Sequence, residues 1–262
     1  MTALETVFVA FAMFSALPTP QLAWNEKNMR YALCAFPLVG AVCGGLWWAW
    51  SALCAWLTVP TLLRGAGLSL LPVLVTGGIH LDGYADTCDA LASCADPARK
   101  QEILKDPQCG AFAVIRLCTY FVAHFALCAV LEPTARALGC MTLAFLLERA
   151  LSGLAISRFP LAKHTGLAHT FATAADKTRV GRVLILLCAL LGAGMIWVGG
   201  VAGAVMAAAG LLAFWRYRAV ADRQFGGISG DLAGWFLQRA ELWMLAAFVA
   251  CQVIGKGEIP WF

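Results

Sequence analysis

The chain has 262 residues, 61% of them apolar and only 13% charged, with a formal net charge of +4 and a mean hydropathy of +0.77. An ordinary soluble domain is about 45–50% apolar and about 25% charged, so this composition excludes one; with no basic run interleaved with aromatics, it also excludes a nucleic-acid surface. Eleven cysteines, mostly inside apolar runs and never spaced as CxxC, read as small buried hydrophobes.

The first apolar stretch, residues 3–17, lies in a segment (MTALETVFVAFAMFSALPTP) that carries no Lys or Arg. A secretory signal begins with bases, so the stretch reads as part of the mature protein. Runs of membrane length follow at 31–57, 111–131, 137–157 and 183–214, the last long enough for two crossings with a break at Gly199 and Gly200. Shorter or interrupted runs cover 66–81 and 235–255. Backbone in lipid must satisfy its own N–H and C=O groups, which makes these segments helices. The expectation is an all-α, polytopic integral membrane protein with seven or eight transmembrane helices, residues 1–262 forming a single transmembrane domain with no internal repeat.

The connecting segments 24–30, 82–110, 158–182 and 216–234 emerge on one side. They hold thirteen of the nineteen Lys and Arg residues, against three (Arg64, Arg136 and Lys256) on the other. The positive-inside rule makes the first side cytoplasmic. The location expected is therefore a cell (inner) membrane, crossed several times, with catalytic loops in the cytoplasm.

On that side lies the most informative stretch, GGIHLDGYADTCDAL at 77–91. Asp82, Asp86 and Asp89 are spaced by four and three residues, so on a helix continuing from 66–81 they share one face. Two carboxylates about 6 Å apart repel by roughly 2–3 kcal/mol at an effective dielectric near 20, and facing lipid each would cost about 2.5–3.5 kcal/mol. Water or a cation must compensate, and hard oxygen donors suit Mg²⁺, with Mn²⁺ as the alternative. Gly83 leaves room for an anionic ligand or a second helix. His80 reads either as a base or as a hydrogen-bonded structural residue.

Two more constellations share this face. LKDPQCG at 104–110 supplies Lys105 and Asp106. GGISGDLAG at 226–234 opens the last crossing with Gly227, Gly230 and Asp231. A glycine-rich turn ahead of a helix offers N–H groups to phosphate, and serves equally as a helix cap with Asp231 as the cap residue. The 158–182 loop adds five bases, among them Arg158, Lys163 and Arg179. Metal-binding acids, bases and phosphate-accepting turns at one membrane face fit phosphoryl or phosphodiester transfer.

The stretches GGIHLDGYADTCDAL, LKDPQCGAFAV and GGISGDLAG, in this order and preceded by FSALPTP and FPLVG, resemble the cobalamin synthase (adenosylcobinamide-GDP ribazoletransferase) family along nearly the whole chain. The resemblance implies a Mg²⁺-dependent membrane transferase of vitamin B12 biosynthesis. It would join adenosylcobinamide-GDP to α-ribazole or its 5'-phosphate and release GMP. Asp82, Asp86 and Asp89 would hold the metal against the diphosphate, Asp231 would be a further ligand or the general base, and Lys105, Arg158, Lys163 and Arg179 would contact anions. The implied partners are the two substrates and membrane lipid, with no nucleic acid; a homo-oligomer and association with other cobalamin-assembly enzymes both stay open. The chain departs from the family pattern at Gln108, where a base is common, and at Ala168, where glycine is. Two rival readings share the acids: a CDP-alcohol phosphotransferase-like lipid enzyme, whose second pair of aspartates is missing here, and a cation transporter, whose site would lie near the midplane.

Overall fold

Runs of apolar residues too long to expose to water fold into helices, and glycine decides where the chain turns between two of them. The computed structural model describes residues 3–20, 22–162 and 165–256. Twelve helices are found among them: α1 (Ala3–Phe14), α2 (Glu26–Met29), α3 (Ala32–Trp56), α4 (Thr61–Thr76), α5 (Ile79–Ala92), α6 (Pro97–Ile103), α7 (Ala111–Val130), α8 (Ala135–Arg158), α9 (Leu167–Ala174), α10 (Lys177–Gly199), α11 (Val201–Phe225) and α12 (Gly230–Lys256). The only β-type pairing among the described residues is an isolated bridge between Leu161 and Ile228.

Six helices, α3, α7, α8, α10, α11 and α12, are long and apolar enough to cross a membrane, and α4 with α5 makes a seventh if that bent pair counts as one crossing. The total is thus six or seven, against the seven or eight expected. The first apolar run forms only the 12-residue α1, which at 1.5 Å per residue spans about 18 Å of a hydrocarbon core about 30 Å thick. The long run at 183–214 divides at Gly199 and Gly200 into α10 and α11, as its length required.

One departure from the sequence reading matters for function. The acidic segment does not continue α4. Gly77 and Gly78 both take left-handed backbone, with φ of 64° and 80°, a conformation costly for any residue with a Cβ. They end one helix and start the next at an angle of 94°. The carboxylates therefore ride on a separate helix set at 94° to α4.

Helix α8 is the most enclosed of the crossings, while α7 and α10 are the least. Large apolar side chains face outward, including Trp197 (88% exposed), Val201 (80%) and Trp56 (79%), a surface that lipid rather than water must cover. Inside, four ionisable side chains are almost sealed from solvent. Arg149 donates to Glu148 Oε1 at 2.6 Å and to the Phe145 carbonyl at 3.0 Å. His124 Nε2 lies 3.0 Å from Glu241 Oε1, and its Nδ1 lies 2.9 Å from Ser69 Oγ. Glu148 stands ten residues before the end of α8 and Glu241 ten residues after Asp231, so both sit about 15 Å deep. These pairs tie α4, α7 and α12 together beside α8 at mid-bundle.

Removing one member of a buried ion pair leaves its partner charged and unsolvated, at about 3–5 kcal/mol. Arg149→Met is expected to lower the thermal unfolding temperature of the detergent-solubilised protein sharply. The double change Glu148→Leu with Arg149→Met is expected to cost clearly less, as circular dichroism melts would show.

Candidate functional site

The site forms where the start of α12 meets α5, and glycine permits the meeting. A Cβ on Gly83 would stand 2.8 Å from both Cα and the carbonyl oxygen of Asp231. One on Gly234 would stand 2.7 Å from the His80 carbonyl oxygen. Both separations are below van der Waals contact, so the two backbones touch only because neither residue has a side chain. Of the two uses the sequence allowed for Gly83, the close approach of a second helix is the one seen. The contact sets Asp231 beside the helix that carries Asp82.

A Ser229 hydroxyl completes this corner. Its Oγ accepts the Leu232 N–H at 3.2 Å and donates to Asp231 Oδ2 at 3.3 Å. The N-cap of α12 is therefore Ser229, in place of the Asp231 cap that the sequence allowed. The serine immediately ahead of the Gly-Asp pair carried that signal in the sequence. The preceding turn is stitched to the loop after α8: Ala162 N–H donates to the Ile228 carbonyl and Ile228 N–H to the Pro160 carbonyl, both at 2.9 Å. Gly227, with φ of 148°, must lack a side chain because a Cβ there would lie 2.7 Å from Ala162 N. Its role is to admit that strand-like neighbour.

The three carboxylates of α5 part company. Asp89 Oδ1 accepts the Ala113 N–H at 3.3 Å, and a Cβ on Gly110 would lie 1.9 Å from Asp89 Oδ2. Gly110, the N-cap of α7, makes no side-chain cap of its own. Asp89 thus caps α7 from across the site, and its charge faces the positive end of that helix. Asp82 is exposed and Asp86 half-buried. Among the described residues no group of three or more His, Cys, Asp or Glu side chains converges as a metal cluster.

Two cavities flank α5. The larger, about 630 Å³, is lined by Asp82, Gly83, His80, Lys105, Ser152, Ile156, Phe171, Gly230, Asp231 and Leu237, together with Phe14 and Phe36 and the 165–169 segment. The second, about 530 Å³, lies on the α7 side and is lined by Gly77, Gly78, Ile79, Leu81, Asp82, Ala85, Asp86, Pro107, Cys109, Leu117 and Phe121. Asp82 belongs to both; Asp86 and Asp231 each face one.

The other expected contacts scatter. Lys105 lines the larger cavity, held there because α6 is anchored to the end of α11: Lys100 donates to Gln224, and Gln101 Nε2 to the Phe225 carbonyl at 2.7 Å. Asp106 accepts the Gln108 N–H at 2.9 Å and shapes that turn. The side chain of Arg158 lies against Gly181, and Arg179 reaches Tyr31 and Asp176; neither lines a cavity. Lys163 lies outside the described residues. His80 is 6% exposed, with its ring 5.8 Å from that of Phe36 and its Nε2 sealed from solvent without a hydrogen-bond partner among the described residues. The aromatic wall of Phe14, Phe36 and Phe171, with centroids 4.1 and 5.5 Å apart, was not singled out from sequence, because its members come from three distant helices.

The donor set fits a hard divalent cation that keeps part of its water. Mg²⁺ commonly takes one or two carboxylates and completes its shell with water and substrate phosphate, and Asp82 with Asp86 or Asp231 offers that many without a preformed cage.

Residues 6–249 match the family model for cobalamin-5-phosphate synthase. An adenosylcobinamide-GDP ribazoletransferase of Lachnoclostridium phytofermentans is 41% identical over 260 residues, covering 99% of each chain. Enzymes of the same name from Clostridium botulinum (strain Alaska E43) and Geobacillus kaustophilus are 30% and 31% identical, covering 94% of this chain and 96% and 97% of theirs. No solved structure matches.

Replacing Gly83 with Ala forces α5 and α12 apart. The expected cost is about 1–3 kcal/mol of overpacking, with a loss of turnover larger than that of an Ala substitution at the exposed Cys94, measured on folded, size-excluded protein.

Proposed function

Since the chain belongs to the cobalamin-5-phosphate synthase family, we propose that it is an adenosylcobinamide-GDP ribazoletransferase, joining adenosylcobinamide-GDP to α-ribazole or its 5'-phosphate and releasing GMP. The observation that carries this reading is the placement of Asp82 on the wall shared by two cavities, with Asp231 held next to its helix. A bisubstrate transfer needs such a wall. A ribose hydroxyl attacks the phosphorus beside the cobinamide, a P–O bond forms, and the P–O bond to GMP breaks with its electron pair leaving on GMP. The hydroxyl proton passes to a carboxylate, for which Asp231 is the candidate: it faces the larger cavity and is oriented by Ser229.

Mg²⁺, held by Asp82 with Asp86 or Asp231, would neutralise phosphate oxygens as charge shifts to the leaving GMP. Asp82 and Asp86 are the side chains that would hold that ion beside the diphosphate, Lys105 meets anionic charge at the mouth, and the aromatic wall excludes water. Asp89 acts through α7, as a positioning residue. The bases clustered at this end of the bundle support a cytoplasmic site by the positive-inside rule, in a bundle that would cross the inner membrane. The exposed faces of α7 and of α10 would be available to neighbours, among them a second copy or other cobalamin-assembly enzymes.

Purified protein given adenosylcobinamide-GDP, α-ribazole 5'-phosphate and Mg²⁺ is expected to release GMP, and EDTA is expected to stop the release. Asp82→Asn should lower kcat on the order of a hundredfold or more, the equivalent of about 2.7 kcal/mol of lost transition-state stabilisation. Asp89→Asn, which keeps an acceptor for the α7 amide, should stay within about tenfold of wild type. Equal loss in both variants would contradict the division of roles among the three aspartates.

A further inference from the structure

We infer that the two substrates occupy opposite sides of Asp82, the ribazole in the larger cavity and only the diphosphate end of the corrinoid nucleotide in the cavity beside α7. The inference rests on the proposed activity and adds which ligand goes where.

The larger cavity has the graded chemistry of a nucleotide monophosphate with an apolar base. Its depth, between Ser152, Ile156 and Leu237, ends one turn above the sealed ion pairs at Glu148 and Glu241. Its wall is aromatic, with Phe14 in contact with Phe36 and Phe171. A benzimidazole is flat and weakly polar, and such a lining binds it by stacking and loss of hydrated apolar surface. Nearer the opening come the carboxylates of Asp82 and Asp231, level with the hydroxyls of a ribose. At the mouth stand the cation Lys105 and the first turn of the 27-residue α12, suited to a terminal phosphate. A volume of about 630 Å³ is in the range of small-molecule sites.

The cavity beside α7 has different chemistry. Its charged lining among the described residues consists of two carboxylates, Asp82 and Asp86, with no Lys or Arg. A diphosphate can rest there only with a divalent cation between, which is the form in which nucleotide diphosphates are held. The cavity opens through the exposed Pro107 and Cys109. A corrin with its amide arms is far larger than a nucleoside, and this arrangement leaves it outside the helices while its diphosphate reaches Asp82. Attacking oxygen and phosphorus then approach from the two faces of α5 and meet at the residue both cavities share. The new P–O bond forms there, the bond to GMP breaks toward the α7 side, and the hydroxyl proton stays with a carboxylate of the larger cavity.

Thiol protection tests this without turnover. Native Cys109 reports on the α7 side, and Thr165→Cys, an exposed position on the rim of the larger cavity, reports on the other. Each substrate is added alone with Mg²⁺, and alkylation at each position is timed by peptide mass spectrometry. At a ligand concentration about ten times Kd, α-ribazole 5'-phosphate is expected to slow labelling at 165 about tenfold and to leave Cys109 unchanged, and adenosylcobinamide-GDP to do the reverse. In a parallel arm, Ala168→Phe is expected to raise KM for the ribazole about tenfold or more without raising KM for the corrinoid. Crossed protection, protection of both positions by one ligand, or protection of neither in a protein that releases GMP would overturn the assignment while leaving the activity standing. Failure to release GMP from both substrates would overturn the proposed function itself.

Discussion

The contact between α5 and the first turns of α12 is the constraint from which the site follows. It is a contact of backbone on backbone, made possible by Gly83 on one helix and Gly234 on the other. Were either residue larger, the helices would separate by the width of a methyl group or more, and Asp231 would move away from the helix of Asp82. Because helices in lipid gain little from hydrophobic attraction to one another, close approach at small residues is a main source of their packing energy. Here the same small residues that make the packing tight also bring carboxylates from two helices to one place.

The rest of the bundle serves to hold that corner in register. The 94° bend at Gly77 and Gly78 turns α5 away from the line of α4, Asp89 fastens its far turn to α7, and Ser229 fixes the start of α12. Deeper, His124 and Glu241 join α7 to α12, with Ser69 of α4 attached. Charges at that depth are expensive in isolation and tolerable as internally paired sets. Their pairing also separates them from the acids of the site, which sit at the bundle end.

Much of this was legible in the sequence because each feature had a local signal. Hydrophobic run length gave the crossings, and the four-residue spacing the common face of Asp82 and Asp86. The bend before α5 was signalled by paired glycines, but their effect on backbone direction depends on φ, which spacing alone does not reveal. The separate fate of Asp89 was hidden for another reason: its partner, the amide of Ala113, is 24 residues away, and only the fold brings the two together. Arg158 and Arg179 matched an anion site in charge, yet Arg158 lies against Gly181 and Arg179 pairs with Tyr31 and Asp176, outside the two cavities. The buried pairs were missed because single Glu or His residues within apolar runs form no cluster until four helices assemble.

The central proposal is that Asp82 and Asp86, on one face of α5, would hold one divalent ion against the substrate diphosphate while Asp89 would not. Electron paramagnetic resonance of Mn²⁺ titrated into the protein with adenosylcobinamide-GDP present tests it most directly. The account predicts at least about a tenfold weaker Mn²⁺ affinity, or roughly 1.4 kcal/mol, in Asp82→Asn and in Asp86→Asn, with Asp89→Asn close to wild type. A loss of affinity in Asp89→Asn with none in the other two would contradict it.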